Sequence, residues 1–194
     1  MITFMCKIPQ ICITNRHLVK GDFLKQIRYV AGLQPEKIIL REKDLSQEEY
    51  VKLAEKVLEI CRQMQVPLVL HYYPEAAKIL GVQAIHLPLP LLRRFPVQQK
   101  KYFEQIGASV HSVEEAIEAE KLGAAYVAAG HVFATDCKKG VPPRGTGFLR
   151  QVCERVKIPV YALGGICDEN QQTCMDNGAA GVCRMSDFMR RFEY

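Results

Sequence analysis

The residues best able to do chemistry follow directly after short apolar segments of the chain. Most are cations, imidazoles or small residues: Arg41, Lys43, Ser109, His111, His131, Thr135, Lys138, Gly164, Gly165, Met185 and Ser186. Arginine and lysine bind anions, and glycine turns expose backbone N–H groups that can surround a phosphate. This set of residue types therefore favours a small anionic ligand.

His131 is the candidate for proton transfer. It comes immediately after the apolar run 126–130. Because neutral imidazole titrates near physiological pH, a single histidine can both remove and return a proton. We predict His131 to be the catalytic residue; the alternative from the sequence is a histidine that only satisfies local hydrogen bonds.

Two anion sites are predicted. Arg41 and Lys43 are two residues apart, so they lie on the same side of an extended segment and can converge on one anion, unless they simply form a solvated strand end. Gly164 and Gly165 precede a helix predicted to begin at Asp168, and with Met185-Ser186 they are expected to cradle a phosphate. The remaining expected ligand contacts are Ser109, His111, Thr135 and Lys138.

Metal binding is not expected from the sequence. The side chain of Glu42 is expected to point to the opposite side of the segment from Arg41 and Lys43, and Asp136 lies among lysines. Magnesium prefers carboxylate ligands, and zinc requires a cluster of cysteine or histidine ligands that the spacing does not provide. We therefore predict neither a metal ion nor a cofactor.

Eight short apolar segments are predicted to be buried strands that alternate with helices. They are 11–14, 37–41, 67–71, 84–87, 107–110, 125–130, 159–164 and 181–185. Ser46 with Glu49 and Ser112 with Glu115 form capping boxes that mark helix starts, and Asp168 with Gln171 is a looser version. Strands separated by helices pair in parallel, because a tight hairpin cannot connect a parallel pair.

A short repeat defines the predicted topology. Gly81, Gly123 and Gly178 each stand between a helix and an apolar segment, where a left-handed C-cap is typical. The fold class is therefore α/β: a small single-domain (β/α)8 TIM barrel over residues 1–194, with parallel strands and a shortened last helix at 187–192. The segment 91–101 is a poor helix, and an open doubly wound sheet is the alternative topology.

Composition narrows the possible partners and locations. The chain has 194 residues, 48% of them hydrophobic and 24% charged, and its net charge is +5 with scattered basic residues. No nucleic-acid surface is expected, and no apolar stretch approaches the roughly 20 residues that cross a membrane. The eight cysteines include no C-x-x-C pair, so we expect reduced thiols in a cytoplasmic protein.

Several motifs together resemble the thiamine phosphate synthase and TenI superfamily of small barrels. They are Ile11-Cys12-Ile13-Thr14-Asn15, Leu40-Arg41-Glu42-Lys43-Asp44-Leu45-Ser46, Ala162-Leu163-Gly164-Gly165-Ile166 and Met185-Ser186. The resemblance covers almost the whole chain and implies one of two activities. Synthases join a pyrimidine pyrophosphate to a thiazole phosphate with magnesium, whereas TenI-like tautomerases aromatise a carboxythiazole phosphate.

Synthases and tautomerases differ in the segments that follow the third, fourth and sixth strands. Synthases carry Asn-Asp after the third strand and His-Leu-Gly-Gln-x-Asp after the fourth, where this chain has His71-Tyr72 and His86-Leu87-Pro88-Leu89-Pro90-Leu91. Both aspartates that serve the magnesium pyrophosphate are absent. The segment 130–140, GHVFATDCKKG, resembles the tautomerase version, and Cys137 replaces a synthase threonine. The resemblance thus favours an isomerase, a thiazole tautomerase.

The resemblance also implies residue roles and partners. His131 would act as base and then acid, Arg41 and Lys43 would bind the carboxylate, and the residues around Gly164 would hold the phosphate of a small thiazole substrate. A divergent synthase and a non-catalytic binder of thiazole or thiamine phosphate remain as alternatives. Related barrels self-associate, so a homo-oligomer is expected, with Phe188, Met189 and Phe192 against another subunit.

Overall fold

The strands close into a barrel in the computed structural model, which describes residues 7–135, 138 and 140–191. Each strand pairs in parallel with its sequence neighbours, and β1 pairs with β8 to close the barrel. The strands are β1 (Gln10–Ile13), β2 (Lys37–Leu40), β3 (Leu68–His71), β4 (Ala84–Pro88), β5 (Gln105–Val110), β6 (Tyr126–Gly130), β7 (Val160–Leu163) and β8 (Gly181–Arg184). The predicted (β/α)8 barrel is confirmed, and the open sheet is excluded.

Helices cover the outside of the barrel. They are α1 (Phe23–Gly32), α2 (Gln47–Gln63), α3 (Pro74–Ile79), α4 (Leu89–Arg94), α5 (Val97–Lys100), α6 (Val113–Lys121), α7 (Gly145–Arg155), α8 (Gln171–Asp176) and α9 (Ser186–Arg190). The segment predicted to be a poor helix forms two short ones, α4 and α5, each preceded by a proline. The last helix has only five residues, as the sequence predicted.

The predicted helix starts are partly confirmed. Ser46 and Glu49 form a complete capping box at α2. Ser112 caps α6, but the carboxylate of Glu115 accepts from the backbone N–H of His111 instead of completing the box. The predicted start at Asp168 is wrong, because α8 begins at Gln171 and Asp168 pairs with Arg184.

Alternating side chains divide the core into two layers. One cluster fills the barrel interior with Ile11, Ile13, Ile39, Val69, Tyr126, Ala128, Tyr161 and Cys183. The intervening strand residues, such as Cys12, Ile38 and Val127, face the helices and join the larger cluster. The strands are therefore buried on both faces, as expected for a parallel sheet covered by helices.

The glycine junctions adopt the predicted conformation, whereas the last helix packs differently from the prediction. Gly81, Gly123 and Gly178 have φ values of 67°, 88° and 91°, which confirms the repeated left-handed junction. Phe188 and Met189 pack in the core of their own chain, so the prediction that they contact another subunit is wrong; Phe192 lies outside the described residues. Within the described ranges, no helix is long and apolar enough to cross a membrane.

Tyr50 links two strands that carry site residues. Its hydroxyl donates to the carbonyl of Leu40 at 2.7 Å and accepts from the backbone N–H of His71 at 2.9 Å, and the side chain is fully buried.

We predict that Tyr50→Phe lowers the free energy of unfolding by about 1–3 kcal/mol, because it leaves two buried backbone groups unpaired. Urea denaturation measures the loss. Tyr102→Phe is the matched control, since its hydroxyl reaches Ala77 only at 3.4 Å. Equal losses in the two variants would contradict the role of Tyr50.

Candidate active site

All eleven site residues predicted from the sequence line one cavity at the carboxyl ends of the strands. The cavity has a volume of about 290 Å³. Because parallel strands all end at the same rim, residues far apart in the sequence meet there. The structure thus brings the predicted residues together, while their individual roles stay predictions.

Arg41, Lys43 and Lys138 form a cation cluster at this cavity. Partial burial, and then repulsion from Arg41 and Lys138, lowers the pKa of the Lys43 ammonium. Among the described residues no carboxylate forms an ion pair with any of the three. Cations held close together without a counter-charge favour an anionic ligand, which relieves their repulsion.

Glu42 faces away from the cavity, as the alternation predicted, and supports the two cations that flank it. Its buried carboxylate accepts from the hydroxyl of Thr14 at 2.7 Å and from the guanidinium of Arg16 at 3.1 Å. The Thr14 hydroxyl in turn accepts from the backbone N–H of Arg41 at 2.9 Å. These bonds fix the backbone that directs Arg41 and Lys43 into the cavity.

The phosphate cradle, defined as Gly164, Gly165, Met185 and Ser186, combines the tight turn after β7 with the start of α9 after β8. Gly164 and Gly165 have φ values of 100° and 65°, a region that favours glycine. A Cβ on Gly164 would lie 2.3 Å from Cβ of His131. Because α8 starts only at Gln171, the N-terminus of the helix predicted to begin at Asp168 does not contribute to the cradle.

His131 is held in a defined orientation beside the cradle. Its Nε2 lies 3.2 Å from the carbonyl oxygen of Val141, so Nε2 carries the proton and donates. Nδ1 is buried and has no hydrogen-bond partner among the described residues. The next residues, Val132 and Phe133, donate backbone N–H groups to Leu163 and Gly164, at 2.8 and 3.0 Å.

His111 and Ser109 occupy the β5 side of the cavity. Nδ1 of His111 donates to the carbonyl of Gly130 at 2.7 Å. The hydroxyl of Ser109 lies 2.8 Å from Nε2 of His86, whose Nδ1 is 3.1 Å from the hydroxyl of Tyr126. Thus His86, itself part of the cavity lining, holds the Ser109 hydroxyl in place.

His71 and His86 were noted in the sequence but not included among the predicted site residues, and both line the cavity. Their rings stack with centroids 5.9 Å apart. Burial first, followed by His86, Lys43 and Arg41, lowers the pKa of His71 to about 2; burial and nearby lysines lower the pKa of His86 to about 3. Their positions at the ends of β3 and β4 were the available sequence signal.

The described residues of the cavity do not fit a magnesium ion. The lining includes no aspartate or glutamate, and no group of three His, Cys, Asp or Glu side chains in the described ranges could hold a metal. Magnesium takes oxygen ligands, commonly one or two carboxylates, and the neighbouring cations would repel it. Asp136 and Cys137 lie outside the described residues.

The cavity continues into a broader outer depression of about 870 Å³. The two share Thr135, Lys138, Gly165, Ile166 and Ser186, and the outer depression adds Arg190 and Arg191. A ligand in the inner cavity can therefore extend toward solvent past the cradle.

Fold and site define a small (β/α)8 barrel whose rim carries a cation cluster and a glycine cradle around a cavity without described carboxylates. The sequence model of the thiamine monophosphate synthase family, TMP-TENI, matches residues 10–188. The chain belongs to this family.

Individual relatives agree with this assignment. A protein named putative thiamine-phosphate synthase 2 from Aquifex aeolicus is 32% identical over 184 residues, covering 94% of this chain and 99% of the relative. A thiamine-phosphate synthase from Caldanaerobacter subterraneus is 34% identical, covering 88% and 81%. The solved thiamine phosphate pyrophosphorylase from Pyrococcus furiosus superposes with a TM-score of 0.82 at 28% identity, covering 94% and 88%.

These names correct the predicted reaction class. The relatives are named thiamine-phosphate synthases, which are transferases, so the prediction of an isomerase is wrong. That prediction rested on the segment around His131 and on two missing aspartates. Membership in a thiamine biosynthesis family, which the sequence also implied, is confirmed.

We predict that Glu42→Gln weakens binding of inorganic pyrophosphate, used as a probe of the cation cluster. An amide nitrogen cannot accept from Thr14 or Arg16, so the backbone under Arg41 loosens and the free energy of unfolding falls by about 1–3 kcal/mol. Titration calorimetry and urea denaturation measure the two effects. Asp44→Asn, at the exposed partner of Arg16, is the control, and equal effects from both variants would count against Glu42.

The neutral histidines make stability depend on pH. Below its ordinary pKa of 6.5, His71 binds a proton when unfolded but stays neutral in the fold down to about pH 2. The unfolded state then binds more protons, so the free energy of unfolding falls as pH drops below 6.5.

We predict that His71→Asn removes up to about 1.4 kcal/mol per pH unit from the slope of unfolding free energy against pH between 4 and 6. Urea denaturation at several pH values measures this slope. His17→Asn, at an exposed histidine whose Nε2 lies 3.0 Å from the Asp44 carboxylate, is the comparison variant. A slope unchanged by His71→Asn would show that His71 is not held neutral.

Proposed function

We propose that this protein joins an aminopyrimidine pyrophosphate to a thiazole phosphate, producing thiamine phosphate and pyrophosphate. The observation that carries the proposal is that one cavity is lined both by the cation cluster and by the glycine cradle, which we interpret as two separate anion sites. The cation cluster lies at the ends of β2 and β6, and the phosphate cradle follows β7 and β8. A reaction between two phosphorylated molecules requires two such sites, and the relatives are named thiamine-phosphate synthases.

The two sites differ in chemistry, which supports different occupants. The cradle offers mainly backbone N–H groups, suited to a phosphate monoester that stays attached throughout the reaction. The cation cluster offers three full positive charges, suited to pyrophosphate, on which negative charge builds up as it leaves. We therefore assign the thiazole phosphate to the cradle and the pyrophosphate to the cluster.

The bond changes follow from this assignment. The bond between the pyrimidine's methylene carbon and the pyrophosphate oxygen breaks, and the pyrophosphate leaves with the electron pair. The ring nitrogen of the thiazole supplies the electrons for the new carbon–nitrogen bond, giving a positively charged thiazolium. Arg41, Lys43 and Lys138 stabilise the leaving group, which is the main electrostatic demand of the reaction.

The same cations replace the metal in this proposal. Synthases of the family use magnesium for the pyrophosphate, but the described lining of this cavity supplies no carboxylate to hold it. Guanidinium and ammonium groups neutralise phosphate oxygens directly and bring hydrogen bonds as well. We therefore propose a coupling reaction that does not need a divalent metal.

His131 has a positioning role in this reaction. Coupling at the thiazole nitrogen requires no proton shift, so the base-then-acid role predicted from the sequence has no step to serve. His131 lies against Gly164 and fixes the loop after β6 next to the cradle. We propose that the His131 side chain borders the thiazole ring.

The six cysteines among the described residues are all free thiols, which supports our proposal of a reducing, cytoplasmic location.

The test mixes purified protein with both phosphorylated halves and measures thiamine phosphate and released pyrophosphate, with a chelator and with magnesium. We expect both products in equal amounts, and we expect coupling to continue at a measurable rate when the chelator is present. Lys43→Met should lower the rate by about 10- to 100-fold, because one charge facing the leaving group is lost. Lys56→Met, at an exposed position on α2, is the matched control.

Three outcomes would contradict the proposal. Binding of both compounds without product would indicate a non-catalytic binder. Chemical change of the thiazole compound without the pyrimidine would indicate a reaction other than coupling. Coupling that stops completely with the chelator would show that the cations do not replace the metal.

A further inference from the structure

Four charged side chains form a closed ring next to the phosphate cradle, and one of them, Arg184, also lines the cavity. Arg184 contacts Asp168 at 2.7 Å and Asp187 at 2.8 Å. Arg191 contacts the same two carboxylates, each at 2.8 Å. Arginine and aspartate alternate around this charge ring, so its net charge is zero.

Arg184 is the buried member of the charge ring. Its side chain is 0% exposed, whereas that of Asp168 is 62% exposed. Removing a guanidinium from water is costly, and the attraction of its partners roughly offsets this cost. The net gain in stability from such a buried pair is therefore small, and its main physical effect is to restrict the groups it joins to one arrangement.

The groups that the charge ring joins are the two loops of the cradle. Asp168 lies three residues after Gly165, and Asp187 is the residue after Ser186. Arg184 ends β8 and bridges both carboxylates. The loop after β7 is thus tied to the loop after β8 by charge, while Val132 and Phe133 tie its other side to the loop after β6.

We propose that Arg184 is a positioning residue that sets the spacing of the phosphate cradle. It acts through Asp168 and Asp187, which fix the turns carrying Gly165 and Ser186. Backbone N–H groups bind a phosphate well only when held within about 0.5 Å of the productive geometry. This inference rests on the proposed function, because it takes the cradle to hold the phosphate of the thiazole ligand.

The test compares two ligands that differ only by the phosphate. Arg184→Met keeps an unbranched apolar stem and removes the guanidinium charge, which leaves Asp168 and Asp187 with Arg191 alone. We expect affinity for thiazole phosphate to fall about tenfold or more, since misplaced binding groups lose most of their effect. Affinity for the same thiazole alcohol without phosphate should not change. In the coupling assay KM should rise and kcat should stay close to the original value.

Three further variants keep the test decisive. Arg93→Met breaks a different paired arginine, held by Glu118 at 2.7 Å on the outside of the barrel, and should leave both affinities unchanged. Asp168→Asn serves if Arg184→Met does not fold, because Asp168 is exposed, and it should weaken phosphate-dependent binding to a smaller extent. Arg184→Lys should recover part of the affinity, since one ammonium keeps the charge but not the paired geometry.

The outcomes separate this inference from the proposed function. Equal loss of affinity for both ligands in a folded variant, or no loss for either, would overturn the role of Arg184. Because binding is measured without the coupling reaction, a protein that fails to couple can still show the phosphate-specific loss. That result would support the charge ring and reject the proposed transferase.

Discussion

The parallel pairing that closes β1 against β8 is the constraint on which the site depends. It aligns Ile11 with Cys183 and Cys12 with Arg184, so the barrel has no free edge in which the strands could slip. Closure brings the carboxyl ends of β2, β6, β7 and β8 around one opening. The cation cluster and the cradle can act on one ligand pair only because the barrel is closed.

The alternation of side chains along short strands made much of this arrangement predictable. Glu42 points away from the cavity while its neighbours Arg41 and Lys43 point into it, and this requires only a period of two. The positions of the eight strands followed from apolar runs flanked by helix caps and glycine junctions. Most strand boundaries differ from the prediction by one or two residues; Arg41, for example, lies outside β2 because its backbone N–H donates to the Thr14 side chain and not to a neighbouring strand.

Long-range pairing between loops was not predictable from local patterns. Asp168 was expected to cap a helix, since aspartate followed by glutamine suggests one, but a buried arginine 16 residues later accounts for its position. Phe188 and Met189 were expected on the surface, but the final helix turns back so that the carbonyl of Phe188 accepts from Gln26. In both cases a tertiary contact overrides a local preference, and only the assembled barrel brings the two partners together.

The electrostatics of the cavity favour the binding of anions over proton transfer by His71 and His86. His71 and His86 stay neutral because burial and the nearby cations oppose a further positive charge. An imidazole with a pKa of 2 to 3 is a poor base at neutral pH. The same cations that weaken these histidines as bases strengthen the cavity as a site for anions. A cavity of this kind favours the stabilisation of negative charge on a departing group, and proton transfer by these two side chains is correspondingly disfavoured.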